Sequence, residues 1–281
     1  MRSLSVIGGG HVGRALGRLF AQAGGPGGAA APFALQDVLA RSPATAQRAA
    51  DFIGAGTAVD GYAALRPADV YMLSVGDDQI VAACAALAAA LPLKGAIVFH
   101  CSGALASDRL QVARDAGAVV ASVHPIRSFA DPEAVAASFA DTFCGIEGDP
   151  PALAVLAPAL LAIGARPVAI DAAAKTVYHA AAVFASNYLT TVLDAALRAY
   201  QAAGIPEAIA RELAQPLVTE TVANVFRLGA APALSGPIAR GDMATVARQQ
   251  QAVSHWDAAT GELYQALVAP TVNLARRKHN K

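Results

Sequence analysis

A glycine-rich turn near the start of the chain constrains the fold more than any other feature. Leu4, Val6 and Ile7 form a short apolar run that predicts a β-strand, and glycines occupy positions 8, 10 and 13 directly after it. The first two glycines of such a turn let the backbone approach a pyrophosphate, and the third lets a following helix pack against the strand. Free N–H groups at the start of that helix attract anionic oxygens. The pattern predicts a dinucleotide site formed by Gly8, Gly9, Gly10, His11, Val12 and Gly13.

The residues after the second predicted strand, Phe33 to Ala40, indicate which dinucleotide is bound. NAD sites usually place an acidic residue at the tip of this strand, whereas NADP sites need cations or hydroxyls for a 2′-phosphate. Arg41 and Ser42 follow the strand, and Arg48 lies one or two helical turns further on. A guanidinium beside a hydroxyl suits a phosphate, so we expect NADP(H) to be preferred over NAD(H). The alternative is that Asp37, inside the strand, binds the ribose of NAD.

Composition and charge exclude several other classes of protein. The 281 residues carry 21 basic and 21 acidic side chains without a long run of either sign, so the pattern of a nucleic-acid-binding protein is absent. The apolar fraction of 55% is largely alanine, and no membrane-like stretch of 18 residues lacks polar breaks. No secretory signal precedes the first strand, so we expect a cytoplasmic protein. Three cysteines without paired short spacing favour neither a disulfide framework nor a metal site.

The pattern of predicted secondary structure changes near residue 170. Before that point, β-rich runs alternate with helical patterns, which is typical of βαβ units and a parallel sheet. The helix caps predicted in this half are Asp77–Asp78 and Ser107–Asp108. A surface loop is predicted at Gly24–Gly28. The predicted strands, beyond the first two, are Val70 to Val75, Ile97 to His100, Val119 to Val123, Phe143 to Glu147 and Pro167 to Ile170.

The second half of the chain has an all-helical pattern. A stretch without Gly or Pro from Ala172 to Ala203 predicts one helix about 45 Å long, ended by Gly204. Pro206 starts a second helix, which Pro216 is expected to interrupt, and a loop over 229–241 leads to a further helix. A long alanine-rich helix exposes apolar surface on a small domain, so we expect it to pack against its twin in a homodimer. The predicted domains are residues 1–170, an α/β parallel sheet, and residues 171–281, all-helical.

Loops after the sheet strands are the first place to look for ligand contacts, because ligands of open parallel sheets bind outside the carboxyl ends of the strands. Ser102 and Gly103 offer a hydroxyl and an unhindered N–H group where a nicotinamide or a substrate carboxylate would lie. His124 precedes a proline that holds it extended and directs it toward a cleft. His100 lies within its strand and is expected to be buried. The residues assigned to these loops are Ser74, Val75, Ser102, Gly103, His124 and Pro125.

The long helix carries the strongest candidates for catalysis. Lys175 and His179 are spaced i to i+4 and share a face, and Ser186 returns close to the same azimuth. Lys175 lies in the first turn, where the helix dipole disfavours its charge and a lowered pKa would help it give up a proton. Asn187 lies about 120° from Lys175 on an ideal helix, so its participation is marginal. We assign Lys175, His179 and Asn187 to catalysis and Ser186 to substrate binding.

These motifs together resemble a family of Rossmann-like NADP oxidoreductases with a helical C-terminal domain of unassigned function, within the β-hydroxyacid dehydrogenase superfamily. The resemblance covers essentially the whole chain and implies a Rossmann-like sheet domain, a dinucleotide cofactor and an oxidoreductase activity. The same superfamily contains ketopantoate reductase, pyrroline-carboxylate reductase and prephenate dehydrogenase. The motifs that carry the resemblance are the segments 8–13, 100–104, 124–129, 175–187 and 235–242.

The resemblance also implies residue roles. Similarity to ketopantoate reductases suggests a lysine and an asparagine acting on a keto group, which map to Lys175 and Asn187, with His179 standing where the asparagine spacing would fall. Arg240 is expected to grip a substrate carboxylate from its own chain or a partner chain. Asp242 either joins it or only caps a helix. In the prephenate dehydrogenase motif, glycine-containing residues follow the His-Pro pair; here Arg127-Ser128-Phe129 stand in their place.

The sequence hypothesis is an NADPH-dependent reductase of a small carboxylate-bearing carbonyl compound, with ketopantoate or a related α-keto acid as the substrate. Hydride would arrive near Ser102–Gly103 while Lys175, with His179 or Asn187, protonates the alkoxide. One alternative is an imine reductase or a prephenate-type dehydrogenase. Another is a non-catalytic dimer that senses NADPH.

Overall fold

A computed structural model describes residues 1–22 and 31–279, which contain one eight-stranded sheet. Its strand order is β3-β2-β1-β4-β5-β6-β7-β8. Every neighbouring pair is parallel except β6 and β7, which are antiparallel. The strands are β1 Arg2–Ile7, β2 Phe33–Leu39, β3 Thr57–Val59, β4 Val70–Leu73, β5 Ile97–His100, β6 Val119–Pro125, β7 Phe143–Gly148 and β8 Arg166–Ala169.

Helices cover the sheet and form the second half of the chain. They are α1 His11–Gln22, α2 Pro43–Ile53, α3 Ile80–Ala90, α4 Gln111–Asp115, α5 Pro132–Ala137, α6 Pro150–Ala162, α7 Lys175–Val183, α8 Leu189–Ala202, α9 Glu207–Leu228, α10 Ala230–Ala233, α11 Met243–Trp256 and α12 Ala258–His279. A π-helical segment, Phe184–Tyr188, joins α7 to α8. The expected α/β sheet domain followed by helices is therefore confirmed.

The centre of the sheet is buried and mostly apolar, because parallel strands covered on both faces bury nearly every side chain. All four residues of β4 and of β5 are buried, and apolar clusters lie on the two faces of the sheet. The strand order reverses at β1, since β2 and β3 follow each other on one side of it and β4 to β6 on the other. In such a sheet, ligands bind at this switch point, outside the carboxyl ends of the strands. The turns after β1 and β4 to β6 therefore form the edge of interest.

Most strands predicted from the sequence are present with ends shifted by one or two residues. The short strand β3 was missed, because Thr57–Val59 has too few residues for an alternating pattern to register. The Asp77–Asp78 and Ser107–Asp108 caps were wrong: each pair opens a 3₁₀ turn without a side-chain cap bond, and the α-helix starts three or four residues later. The loop predicted at Gly24–Gly28 lies outside the described residues.

The helical half follows the predicted order with two differences. Pro216 lies inside the unbroken helix α9 rather than interrupting it, and α10 occupies part of the expected loop after Gly229. Gly204, with φ of +89°, ends the long helix as expected, and Asp242 caps α11 by accepting a hydrogen bond from Thr245 N at 3.0 Å.

The chain divides into two compact units, Met1–Ser186 and Asn187–Lys281. The division falls within the long helix, where the π segment lies, and each unit is described separately below. The helical stretch Ala172–Ala202 is also long and apolar enough, by length and composition alone, to cross a membrane. Its most apolar 18 residues have a mean hydropathy of 1.3, and 6% of them are buried. One helix of this kind in the described chain does not by itself assign the protein to a membrane.

Candidate functional site

The glycine turn after β1 has the geometry that a pyrophosphate site requires. A side chain at Gly8 would lie 2.5 Å from the carbonyl carbon of Ser74, and the φ of Gly8 is +122°. A Cβ at Gly13 would lie 2.1 Å from the carbonyl oxygen of Gly8. Gly10 differs, because among residues 1–22 and 31–279 the one atom found within 4 Å of its missing Cβ, its chain neighbours aside, is Ser74 O at 4.0 Å. Gly8 and Gly13 are therefore needed for packing, whereas Gly10 leaves open space beside the start of α1, where an anionic group is stabilised.

Three neighbours expected to touch the dinucleotide make contacts inside the protein: His11 and Ser74 through polar atoms, and Val75 through its apolar side chain. His11 Nδ1 lies 2.5 Å from the carbonyl oxygen of Phe129, so its ring is held by the loop that follows β6. The Ser74 hydroxyl donates to Gly8 O at 2.9 Å and braces the turn. Val75 packs against the apolar cluster beneath the sheet edge. His11 and Ser74 therefore shape the turn, and a Cβ at Gly9 would lie 3.3 Å from both Ala49 and Thr45 of α2.

The tip of β2 presents cations and hydroxyls. Ser42 caps α2, with Thr45 N donating to its Oγ at 3.3 Å. Arg48 Nη2 donates to Thr45 Oγ1 at 3.1 Å, and the Arg41 side chain is exposed beside this cap. Asp37, the alternative ribose ligand, is fully buried and bonded to Arg66, with its Oδ1 2.5 Å from Arg66 Nη2. The Asp37 carboxylate is occupied by this ion pair and does not face a ribose site.

A row of buried polar side chains crosses the sheet from β5 to β7. His100 pairs with Ser122, and Ser122 pairs with Glu147, so the register places the three side chains side by side on one face. Lys175, at the first position of α7, lies over this row with 1% of its side chain exposed. Its Nζ donates to Ser122 Oγ and lies 3.5 Å from Glu147 Oε1. Lys175 is therefore buried in an ion pair, which differs from the expected position lining a cleft.

Burial changes the protonation behaviour of this row. Burial lowers the pKa of Lys175, and the neighbouring Glu147 carboxylate opposes that shift. The sequence attributed a lowered pKa to the helix dipole, whereas the cause here is desolvation. Burial also lowers the pKa of His100 to about 4, so its ring is neutral at pH 7. Both ring nitrogens of a neutral His100 have hydrogen-bond partners: Nδ1 accepts from Ser102 N at 3.2 Å, and Nε2 lies 3.1 Å from Ala106 O.

The loop after β5, residues 101–106, is held by the same row. Ser102 Oγ accepts hydrogen bonds from the N–H groups of Ala104 and Leu105 at 3.1 Å and 3.0 Å. The Ser122 hydroxyl lies 3.4 Å from the carbonyl oxygen of Ser102. At the end of the loop, Glu147 accepts from both the N–H group and the hydroxyl of Ser107, at 2.8 Å and 2.7 Å. Buried groups therefore fix the loop at both ends.

Two imidazole rings converge on Gly103 at the centre of this loop, and a third ring, that of Tyr178, contacts one of them. A Cβ at Gly103 would lie 2.2 Å from His179 Nδ1 and 2.7 Å from His124 Nε2. His124 makes edge contacts with the rings of His179 and Tyr178, with centroids 5.4 Å and 5.5 Å away. The Tyr178 hydroxyl lies 2.9 Å from His124 Nδ1 and is bonded to the backbone of Gly145. We call His124, Tyr178 and His179 the ring cluster.

The ring cluster combines a neutral imidazole with a protonated phenol. Burial lowers the pKa of His124 to about 4, and His179 and Lys175 add to the shift. Burial raises the pKa of Tyr178 to about 12. The Tyr178 hydroxyl and His124 Nδ1 share a hydrogen bond whose donor is set by the tautomer of His124. His179 Nδ1 is buried without a hydrogen-bond partner in the described chain. The cluster therefore places a protonated phenol, a neutral imidazole and an unpaired ring nitrogen side by side.

The other residues assigned from the sequence lie elsewhere. Pro125 is the buried last residue of β6. Ser186 and Asn187 lie in the π-helical segment, whose wider turns invalidate the azimuths taken from an ideal α-helix. Arg240 ends a 3₁₀ turn in the second unit, and Asp242 is the cap of α11. Their participation in a site stays a prediction.

Three members of the site were missed by sequence analysis: Ser122, Glu147 and Tyr178. Ser122 and Glu147 interrupt otherwise apolar strands, and a polar residue inside a buried strand must find a polar partner. That signal was present in the sequence. Tyr178 has no such signal, because one tyrosine beside His179 on a helix is common in cores.

The doubly wound sheet with a glycine turn after its first strand defines a Rossmann-like protein. Two family models agree: residues 2–125 match a Rossmann-like domain, and residues 142–271 match a domain of unknown function, DUF2520. The chain is thus a Rossmann-like domain followed by a DUF2520 domain, as the resemblance implied. A comparison with curated protein sequences gave no match.

Solved structures share this fold over almost the whole chain. Protein TM1727 from Thermotoga maritima is 24% identical, with a TM-score of 0.72 and coverage of 98% of this chain and 99% of that chain. BF3122 from Bacteroides fragilis, described as an NADP oxidoreductase, is 19% identical with a TM-score of 0.77, covering 100% and 98%. An imine reductase from Myxococcus stipitatus in complex with NADP+ is 17% identical with a TM-score of 0.66, covering 99% and 94%. Identities this low establish the fold alone.

Proposed function

We propose that this protein is an NAD(P)-dependent reductase that prefers NADPH and reduces a C=N or C=O bond of a small substrate. The observation that carries the proposal is the common edge of the sheet. The glycine turn follows β1, while Gly103 and His124 lie at the carboxyl ends of β5 and β6. A dinucleotide bound at such an edge spans from the first turn toward these strands.

The residues present suit NADPH. The open face of Gly10 and the start of α1 would take the pyrophosphate, and Arg41, Ser42 and Arg48 would take the 2′-phosphate. Ser102 and Gly103 would lie against the nicotinamide end. When bound, NADPH supplies the hydride. The structures of the Myxococcus imine reductase support the general cofactor class, although its V8 variant was solved with NAD+, so the preference for NADPH rests on the β2 tip.

The ring cluster would supply the proton that accompanies the hydride. At neutral pH, Tyr178 keeps its phenolic proton, because burial raises its pKa to about 12, and its hydroxyl lies 2.9 Å from His124 Nδ1. The phenol would give this proton to the substrate atom that becomes basic on hydride transfer, and solvent would re-protonate the phenolate that remains. Proton donation from a positioned side chain typically contributes 10²–10⁴-fold to a rate. Lys175 is replaced in this role, because its Nζ is occupied by Ser122 and Glu147.

Reduction of an imine is favoured over reduction of ketopantoate. The similarity to ketopantoate reductases depends on Lys175 acting on a keto group, and Lys175 is buried in an ion pair. An imine reductase and a reductive aminase are among the proteins with this fold. A carboxylate on the substrate remains part of the proposal through Arg240, which the sequence predicts to bind it.

The test is oxidation of NADPH by the purified protein against a panel of cyclic imines, pyrroline carboxylates and α-keto acids, followed at 340 nm. Turnover with an imine supports the proposal, and turnover with ketopantoate alone would support an α-keto acid reductase instead. Binding of NADPH without turnover on the whole panel would contradict the reductase and favour a sensor of NADPH.

The cofactor preference is tested by Arg41→Ala. We expect this variant to lose about tenfold or more in affinity for NADPH and little for NADH, because a lost charge-assisted bond to phosphate costs roughly 1.5–3 kcal/mol. Isothermal titration of both cofactors measures the two affinities. Lys94→Met, which removes an exposed cation elsewhere in the Rossmann-like unit, is the control. Equal losses for NADPH and NADH would rule out a 2′-phosphate contact.

A further inference from the structure

We propose that Lys175 is a positioning residue that latches the 101–106 loop to α7, and so sets the rings against Gly103. The proposal goes beyond the reductase activity because it concerns a buried network that no step of that activity uses. Only its consequence for NADPH rests on the proposed function.

The first argument is the route of the hydrogen bonds. Lys175 Nζ donates to the Ser122 hydroxyl, which in turn lies 3.4 Å from the carbonyl oxygen of Ser102. The same Nζ pairs with Glu147, whose two oxygens hold Ser107. One ammonium group therefore connects to both ends of the loop.

The second argument is the position of Lys175 on its helix. It is the first residue of α7, and it is the buried residue of that helix. Tyr178 and His179 follow within the next turn and contact His124 and Gly103. Fixing Lys175 therefore fixes where the next turn of α7 meets the loop.

The third argument is that the contact at Gly103 tolerates no movement. His179 Nδ1 and His124 Nε2 already fill the space that a methyl group would need. A small shift of either α7 or the loop would open or close this contact. A buried lysine is retained here although an apolar residue of the same length would avoid the cost of burying charge. Holding the loop explains why a charged side chain occupies this buried position.

The experiment uses Lys175→Met, which keeps the length of the side chain, and Ser122→Ala, which breaks the link to Ser102 but leaves the ion pair. Lys94→Met is the exposed control. Hydrogen exchange is measured on the protein without cofactor at the N–H groups of the loop that the network holds. These belong to Ser102, Ala104, Leu105 and Ser107.

We expect exchange in the loop to accelerate by roughly tenfold or more in both variants, with the glycine turn unchanged, because local opening exposes only the groups that the latch restrains. Unchanged exchange in the loop would overturn the proposal. If Lys175→Met does not fold, Ser122→Ala decides alone.

A second readout separates positioning from general stability. Titration of His124 by NMR is expected to show a raised pKa in both variants, because a loosened ring contact reduces the burial that lowers it, and a larger rise in Lys175→Met, where the positive charge is also gone. NADPH affinity should fall by roughly fivefold in both variants, while adenosine 2′,5′-bisphosphate, which lacks the nicotinamide, binds as to the wild type. Equal losses for both ligands would contradict the latch. Absence of NADPH binding to the wild type would refute the proposed function, and the exchange and NMR results would still decide the role of Lys175.

Discussion

At the scale of single residues, the clearest physical explanations concern the positions that require glycine. Gly8 has a positive φ, Gly13 touches backbone, and Gly103 touches two imidazoles. The first two close contacts were predictable, because the glycine pattern has a known geometry. The third was not, since Ser-Gly is also an ordinary turn and its ring partners come from β6 and α7. Only the fold brings them together.

Gly103→Ala tests the ring contact. The methyl group would displace His179 or His124, so we expect a loss of about 1–3 kcal/mol in the free energy of unfolding. Chemical denaturation measures the loss, and NMR signals of the two imidazoles should shift. Gly61→Ala is the matched control, because no atom in the part of the chain that the structure describes, its chain neighbours aside, lies within 4 Å of its missing Cβ, and its backbone is extended. Equal stability of the two variants would mean that the rings are not packed on Gly103.

At the scale of elements, one row of polar residues across β5, β6 and β7 organises the interior of the site. Strand existence was predictable from apolar runs, and burial of His100 was expected from its place within β5. The antiparallel step between β6 and β7 was not predictable, because periodicity carries no information on strand direction. That step sets the register in which Glu147 faces Ser122, so the setting of Lys175 could not be deduced.

The pH dependence of stability follows from His100. Its pKa is about 4 in the folded protein against 6.5 when unfolded, so the unfolded chain binds more protons between these values and stability falls as the pH falls. We expect a loss of about 2 kcal/mol between pH 7 and pH 5 from this group. His124 acts in the same direction.

Urea denaturation of the wild type, His100→Gln and His255→Gln at both pH values measures this effect. Glutamine can replace both hydrogen bonds of the ring without titrating, so the loss should shrink in His100→Gln. It should persist in His255→Gln, whose exposed ring lies at the end of α11. An unchanged loss in His100→Gln would show that its ring is not buried neutral.

At the scale of the whole molecule, apolar residues lie exposed along the helical half. Leu217 and Phe226 on α9 are 57% and 86% exposed, and Val177 on α7 is 76% exposed. Exposed apolar surface of this kind marks an interface. We propose that a second copy of the chain covers it, as expected from the length of the helix predicted at 172–203.

The dimer is tested by sedimentation of Leu217→Glu. We expect the wild type to be a dimer at micromolar concentration and this variant to be a monomer, because a buried unpaired charge opposes association. Val81→Glu is the control: Val81, on α3 of the sheet unit, is 48% exposed, and the substitution should leave the dimer intact. A monomeric wild type would remove the proposal, and flotation of the wild type with lipid vesicles would assign the apolar helix to a membrane instead.

The central claim is that the turn after β1 binds a dinucleotide, and Gly10→Ala tests it most directly. Its Cβ meets no atom of the described chain closer than 4.0 Å, so the variant should unfold at the temperature of the wild type. The methyl group would occupy the space of the pyrophosphate, and calorimetric titration with NADPH should show at least a tenfold loss of affinity. Tight binding of NADPH to the wild type and weak binding to an equally stable Gly10→Ala is the predicted result. Equal affinity of the two proteins, or no binding to either, would contradict the account.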